Sequence, residues 1–154
     1  MRTVLVTGAA RGIGRAIASD LASDHAVAIT HNSTPPDALL EDHPDIHAIR
    51  ADLSDPDTPP RIIDAVIAKF GRLDVIVNNA GAIEMDDGAA HLNHTVNVAA
   101  PMALLTAALP HLGAAATVIN ISSVNATLPA KGAVAYSASK AALNLWTRAM
   151  AKEL

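Results

Sequence analysis

The sequence predicts an α/β fold: a parallel sheet, doubly wound, with helices on both faces. Three observations carry that expectation. Short apolar runs rich in β-branched residues alternate with stretches of helical periodicity, giving the order βαβαβαβαβα. The runs are apolar almost throughout, as in strands covered on both faces. The first run opens directly onto a glycine turn and a helix, Thr7-Gly8-Ala9-Ala10-Arg11-Gly12-Ile13-Gly14. Such a turn presents free backbone N–H groups and the positive end of a helix dipole, a cradle for phosphate.

Taken in order, Thr3-Val4-Leu5-Val6 is the first strand, and apolar residues at helical spacing from Arg15 to Ala22 form the first helix. Ala26-Val27-Ala28-Ile29-Thr30 is the second strand, followed by His31-Asn32-Ser33-Thr34 and by Pro35-Pro36 as a loop or helix start. Ile46-His47-Ala48-Ile49 is the third strand, closing on Arg50-Ala51-Asp52-Leu53. Thr58 to Phe70 reads as a helix, with Pro59-Pro60 tolerated in its first turn and Gly71 as the stop. Leu73-Asp74-Val75-Ile76-Val77 is the fourth strand and runs into Asn78-Asn79-Ala80-Gly81. A helix from Ala89 or Leu92 through Asn97 to Leu109 is expected to bend at Pro101. Ala116 to Ile121 is the fifth strand, followed by Ser122-Ser123, and a last helix runs from Val134 to the end.

The chain of 154 residues is expected to form one domain over 1–154. Phe70, Tyr136 and Trp146 are its only aromatics. A net charge of −4 without a basic run argues against nucleic acid. With no cysteine, disulfides and thiolate zinc sites are excluded, and a cytoplasmic location is expected. The amino-terminal stretch is broken by Gly8 too soon for a signal peptide. The apolar stretch from Val96 to Ile121 is interrupted by Pro101, Pro110, His111 and Gly113, so no membrane span is expected. His91 with His94, and His43 with His47, lack companion ligands at metal spacing, and no metal site is expected. Asp86-Asp87 and the Asp52/Asp55/Asp57 group read as solvated loop and helix-start charges.

The residues with the most chemistry are Tyr136 and Lys140, four apart and so on one helix face. A phenol titrates near pH 10 and is a weak proton donor or acceptor at neutrality. An ammonium about 4 Å away, at an effective dielectric of about 20, favours the phenolate by roughly 4 kcal/mol. That interaction moves a tyrosine toward use as a general acid-base. An amphipathic helix with a half-buried tyrosine and a surface lysine explains the same spacing.

These motifs together resemble the short-chain dehydrogenase/reductases, in particular the reductases related to 3-oxoacyl-carrier-protein reductase, over essentially the whole chain. Thr7 to Gly14 resembles that family's cofactor turn, Asp52-Leu53 its adenine-contacting pair, and Asn78-Asn79-Ala80-Gly81 its Asn-Asn-Ala-Gly segment. Asn97, Ser123, Tyr136 and Lys140 fall at its catalytic tetrad, Ser123 being chosen over Ser122 for its separation from Tyr136. The resemblance implies a Rossmann-type fold and an NAD(P)-dependent oxidoreductase that interconverts a ketone and a secondary alcohol. Tyr136 would move the proton, Ser123 would bond the same oxygen, Lys140 would hold the nicotinamide ribose, and Asn97 would orient a water. Gly8, Arg11, Gly12, Ile13, Gly14, Asn32, Ser33, Asp52, Leu53, Asn79, Ala80, Gly81, Tyr136 and Lys140 would contact the cofactor.

NADP is expected over NAD. No carboxylate stands at the end of the second strand, where one would bind a free ribose hydroxyl, and Arg11 is placed for a 2′-phosphate. The resemblance also implies a homodimer or homotetramer packed through the helices bearing Asn97 and Tyr136. Leu104, Leu105, Ala107, Ala108, Leu143, Trp146 and Met150 would supply the apolar surface. Two departures stand out: the Gly81–Asn97 segment is short for the family, and five strands are counted where the complete fold has six, so the carboxy-terminal strands are expected to be missing. Two alternatives stay open, a nucleotide-binding or dimerisation fragment without turnover and an NADP(H)-sensing regulatory protein.

Overall fold

The computed structural model describes residues 1–85 and 89–154; the expectation for Asp86-Asp87 lies outside them. Within the described residues the strands are β1 (Thr3–Val6), β2 (Ala26–His31), β3 (His47–Arg50), β4 (Leu73–Asn78) and β5 (Leu112–Asn120). The helices are α1 (Gly12–Leu21), α2 (Asp37–Asp42), α3 (Thr58–Phe70), α4 (Ala90–His94), α5 (Ala100–Ala108) and α6 (Val134–Met150). The strands form one parallel sheet in the order β3-β2-β1-β4-β5.

Alternation along the strands explains why both faces must be covered. Leu5, Ala28 and Ile76 point to one side and pack against Ile62, Ile63 and Val66 of α3 and Leu104 and Ala108 of α5. Val4, Val6, Val27, Ile29, Val75 and Val77 point to the other, against Ala18 of α1 and Leu39 of α2. Every residue of β1 is buried, as in a central strand flanked on all sides. Because β1 pairs with both β2 and β4, the chain reverses its direction across the sheet between them. The connections leaving the carboxyl ends of β1 and β4 run to opposite faces of the sheet, toward α1 and α5, and leave a crevice at that switch point.

Two elements differ from the sequence expectation. The long helix is interrupted at Asn97 rather than at Pro101: a π-helical turn, Thr95–Ala99, separates α4 from α5. Pro101 has no N–H for the Asn97 carbonyl four residues back. The ladder slips there, and the Ala100 N–H meets the Thr95 carbonyl instead. β5 begins at Leu112, not Ala116. Its first residues enter the sheet through a register shift opposite Leu73 and Val75, and Arg2 donates to the Ala115 carbonyl at 3.0 Å.

The expected apolar association surface is also corrected. Leu104, Leu105, Ala108 and Leu143 are buried within the chain itself. The apolar groups left outward on this side are Leu109, Leu145, part of Trp146 and Met150, and the outer edge of β5. No helix among the described residues is long and apolar enough to cross a membrane.

Candidate active site

The crevice at the switch point is an open cleft of about 650 Å³. Of the residues expected to contact a cofactor, Gly8, Arg11, Gly12, Ile13, Asn32, Ser33, Asp52, Leu53, Asn79, Ala80 and Gly81 line it. Gly14 lies behind its wall. A Cβ built there would stand 2.6 Å from the Gly8 carbonyl oxygen and against the Asn79 amide nitrogen. Gly8 has φ +65°, and a Cβ on it would meet Ala80 Cα at 2.8 Å. The cradle is therefore shaped by the absence of side chains, not merely permissive of them.

Hydrogen bonds tie the turn to its neighbours. The Gly8 and Ala9 N–H groups are taken by Thr30, at 3.1 Å through its hydroxyl and 2.9 Å through its carbonyl. Asn79 donates its amide to the carbonyls of Thr7 and Gly8, at 2.9 and 3.0 Å. The Thr7 hydroxyl oxygen accepts the N–H groups of both Asn79 and Ala80, each at 3.0 Å. The first turn of α1 keeps N–H groups that no side chain caps. Arg11 stands exposed at its mouth, outside any salt bridge among the described residues.

The end of the cleft around Asn32 and Asp52 is built from strand ends. Asp52 accepts the Ser54 N–H at 2.9 Å and the Ser54 hydroxyl at 2.7 Å, which together hold its carboxyl below the usual range. Asp55 accepts from Arg61 at 2.8 Å and from the Asp57 N–H at 2.9 Å, ordering the start of α3. His31 lines the cleft, and its buried Nδ1 has no hydrogen-bond partner among the described residues. A nucleotide fits this lining: an uncapped helix terminus, a cradle that a Cβ would fill, and an orphaned ring nitrogen converge on it.

At the other end, Lys140 is 4% exposed and donates from Nζ to the Ile121 carbonyl at 2.8 Å. Burial pushes the Lys140 ammonium below its ordinary value. A Cβ built on Gly81 would lie 3.7 Å from Lys140 Nζ and 3.3 Å from Asn97 Oδ1, so Gly81 brings the cleft, Lys140 and Asn97 together. Asn97 is 1% exposed, and its amide is fully engaged. Oδ1 accepts the Ala82 N–H at 2.8 Å, while Nδ2 donates to the Ala82 carbonyl and to Ser139 Oγ, each at 2.9 Å. Ser139 in turn donates to the Tyr136 carbonyl at 2.7 Å.

None of Asn97, Ser123, Tyr136 and Lys140 lines the cleft itself; Asn97 and Lys140 reach it only through Gly81. Tyr136 is 9% exposed on the first turn of α6, and its hydroxyl makes no hydrogen bond among the described residues. Ser123 Oγ caps the 3₁₀ turn Val124–Ala126, accepting the Asn125 N–H at 3.2 Å, and that turn packs on α6. Residues outside the sequence expectation also shape the site. Thr7 and Thr30 lock the turn, Ser139 joins α6 to Asn97, and Asn93 bonds the Glu84 backbone. Ser139 lies inside the Tyr-to-Lys motif and Thr7 inside the glycine motif, but neither spacing discloses a partner. His43 meets Ser19 at 2.7 Å, and His47 stacks edgewise on Phe70.

A family model for short chain dehydrogenases matches residues 2–154. The chain belongs to the short-chain dehydrogenase family. It is 40% identical to the short-chain dehydrogenase/reductase FrzI of Cladobotryum sp., over 99% of this chain and 64% of that protein. Among solved structures it is similar to a short chain dehydrogenase from Burkholderia cenocepacia J2315 in complex with NADP. The two are 36% identical with a TM-score of 0.93, over 99% of this chain and 68% of that one. A blue fluorescent protein from a metagenomic library, in complex with NADPH, is 33% identical with a TM-score of 0.91, over 99% of this chain and 68% of that one. The chain thus spans about two thirds of the length of the relatives it matches, 64% and 67% for the first two curated ones.

Proposed function

We propose that this member of the short-chain dehydrogenase family is an NADP(H)-dependent oxidoreductase that interconverts a ketone and a secondary alcohol. The observation that carries the reading is Lys140. A cation 4% exposed, with one backbone acceptor, stands beside Gly81 at the end of a nucleotide-sized cleft and one helical turn from Tyr136. An ammonium is costly to bury for packing alone. The NADP and NADPH held by the two similar structures support the cofactor class.

When bound, the nicotinamide supplies the redox chemistry. The chain supplies the rest. The N–H groups at the start of α1 hold the pyrophosphate, Arg11 with Asn32 and Ser33 receives the 2′-phosphate, and Asp52 and Leu53 border the adenine. Tyr136 gives its hydroxyl proton to the carbonyl oxygen, or takes the alcohol proton in the reverse direction. Ser123 donates a hydrogen bond to the same oxygen. Lys140 favours the phenolate and holds the ribose hydroxyls, and Asn97, anchored to Ala82, orients a water that returns the proton. Association into a homodimer or homotetramer belongs to this reading and is checked by light scattering.

Tyr136→Phe keeps the ring and removes only the hydroxyl. Turnover of small ketones with NADPH should fall by about 10²–10⁴, with NADPH affinity retained. Near-wild-type turnover in the variant refutes the assignment. A second reading, cofactor holding without turnover, is favoured by the placement of Asn97, Ser123, Tyr136 and Lys140 outside the cleft lining. In that case wild type binds NADPH and oxidises none.

A further inference from the structure

The cleft wall beside Lys140 is formed by Gly81, Ala82, Ile83 and Glu84, a stretch outside the sheet and the helices. Its backbone is nonetheless paired. Asn97 takes the N–H and C=O of Ala82, at 2.8 and 2.9 Å. Asn93 does the same for Glu84: Oδ1 accepts the Glu84 N–H at 3.0 Å, and Nδ2 donates to the Glu84 carbonyl at 2.9 Å. Each side-chain amide acts as the peptide group of a neighbouring strand.

The spacings agree. Asn93 in α4 and Asn97 in the π-helical turn after it stand about one helical turn apart, and two residues of an extended segment advance about 6.6 Å. The rungs therefore meet alternate residues without strain, and Ile83 between them turns away, 63% exposed, into the cleft lining. Asn93 is 0% exposed. A leucine there would be cheaper to bury, because an amide must recover its lost hydration in hydrogen bonds. Those bonds all go to one residue of the wall.

We propose that Asn93 is a positioning residue for the nicotinamide half of the cofactor, the second rung that turns residues 82–84 into a preset surface beside Lys140. The adenylate half is left to the glycine turn, which Asn93 does not touch. The role rests on the NADP(H) reading above.

The test uses the full chain and Asn93→Leu, similar in size and without the amide. Amide exchange by NMR and titrations with NADPH and with 2′,5′-ADP, the adenylate half alone, are compared. In wild type the Ala82 and Glu84 amides should be protected and Ile83 unprotected. In the variant, Glu84 exchange should rise at least about tenfold, with the β4 amides unchanged. NADPH should bind about fivefold or more weaker, with 2′,5′-ADP unchanged. An unprotected Glu84 amide in wild type, or equal effects on both ligands, overturns the role. If Asn93→Leu does not fold, Asn93→Asp keeps the acceptor and loses the donor; it should weaken NADPH alone, and equal weakening of both ligands overturns the role. A wild type that binds neither ligand overturns the NADP(H) reading, and this role with it, whatever the exchange pattern.

Discussion

Three glycines of one turn separate two physical costs that are usually confounded. Gly12 has φ +59° and open space around a built Cβ, so Gly12→Ala incurs only the left-handed backbone penalty, about 1–2 kcal/mol. Gly8 has φ +65° as well, but its Cβ would press on Ala80 at Cα (2.8 Å), Cβ (3.0 Å) and N (3.2 Å), none of which is the end of a flexible side chain. Gly8→Ala adds an overpacking cost of about 1–3 kcal/mol to the same backbone term. Gly14 lies in α1 without a positive φ, so Gly14→Ala carries the clash alone, against Gly8 O and Asn79, offset by up to about 1 kcal/mol of helix propensity. For a chain of this size each kcal/mol lowers Tm by about 2–4 °C. Gly12→Ala should then lose roughly 2–8 °C and Gly8→Ala roughly 4–20 °C by the same rule. Thermal and urea melts of the three variants measure this. Equal losses for Gly8→Ala and Gly12→Ala would show that Ala80 yields freely and that the cradle is not sterically defined.

Further expectations follow from named groups. Arg11→Ala should weaken NADP about tenfold, a charge-assisted contact's worth, and leave NAD unchanged; fluorescence titration of both cofactors decides. Burial lowers Lys140 below its unfolded value, so the native state holds fewer protons than the unfolded one between the two values. Stability should therefore rise with pH across that window, and Lys140→Met should flatten the rise in urea melts. Arg72 and the Thr3 N–H hold the Asp74 carboxyl low, at 2.6 and 2.8 Å for the Arg72 contacts and 2.8 Å for Thr3. The stability this contributes is present above the ordinary carboxylate pKa and is lost as pH falls through the lowered one. Asp74→Asn should cost about 1–2 kcal/mol near neutrality and make acid unfolding shallower from the ordinary carboxylate pKa down through the lowered one.

The fold class and most element bounds were legible because they rest on local patterns. Apolar runs buried on both faces, Pro59-Pro60 in a first turn and Gly71 at a stop mark elements within a few residues of themselves. The glycine turn was legible for the same reason, since a strand, a glycine turn and a helix are contiguous. Where local chemistry competes, the tertiary structure decided. Pro101 signals a break, but the ladder slips one turn earlier, at Asn97, because the missing donor is felt four residues back. Leu104, Leu105 and Leu143 read equally well as core or as association surface, and only the packing of α5 and α6 assigns them to the core. The rungs from Asn93 and Asn97 to Glu84 and Ala82, and the link through Ser139 to Tyr136, span 9, 15 and 42 residues and leave no periodic trace. A polar side chain announces its hydrogen-bonding capacity in the sequence; which backbone group it meets is set by the layers that bring distant segments within 3 Å, as for Asn93 and Glu84.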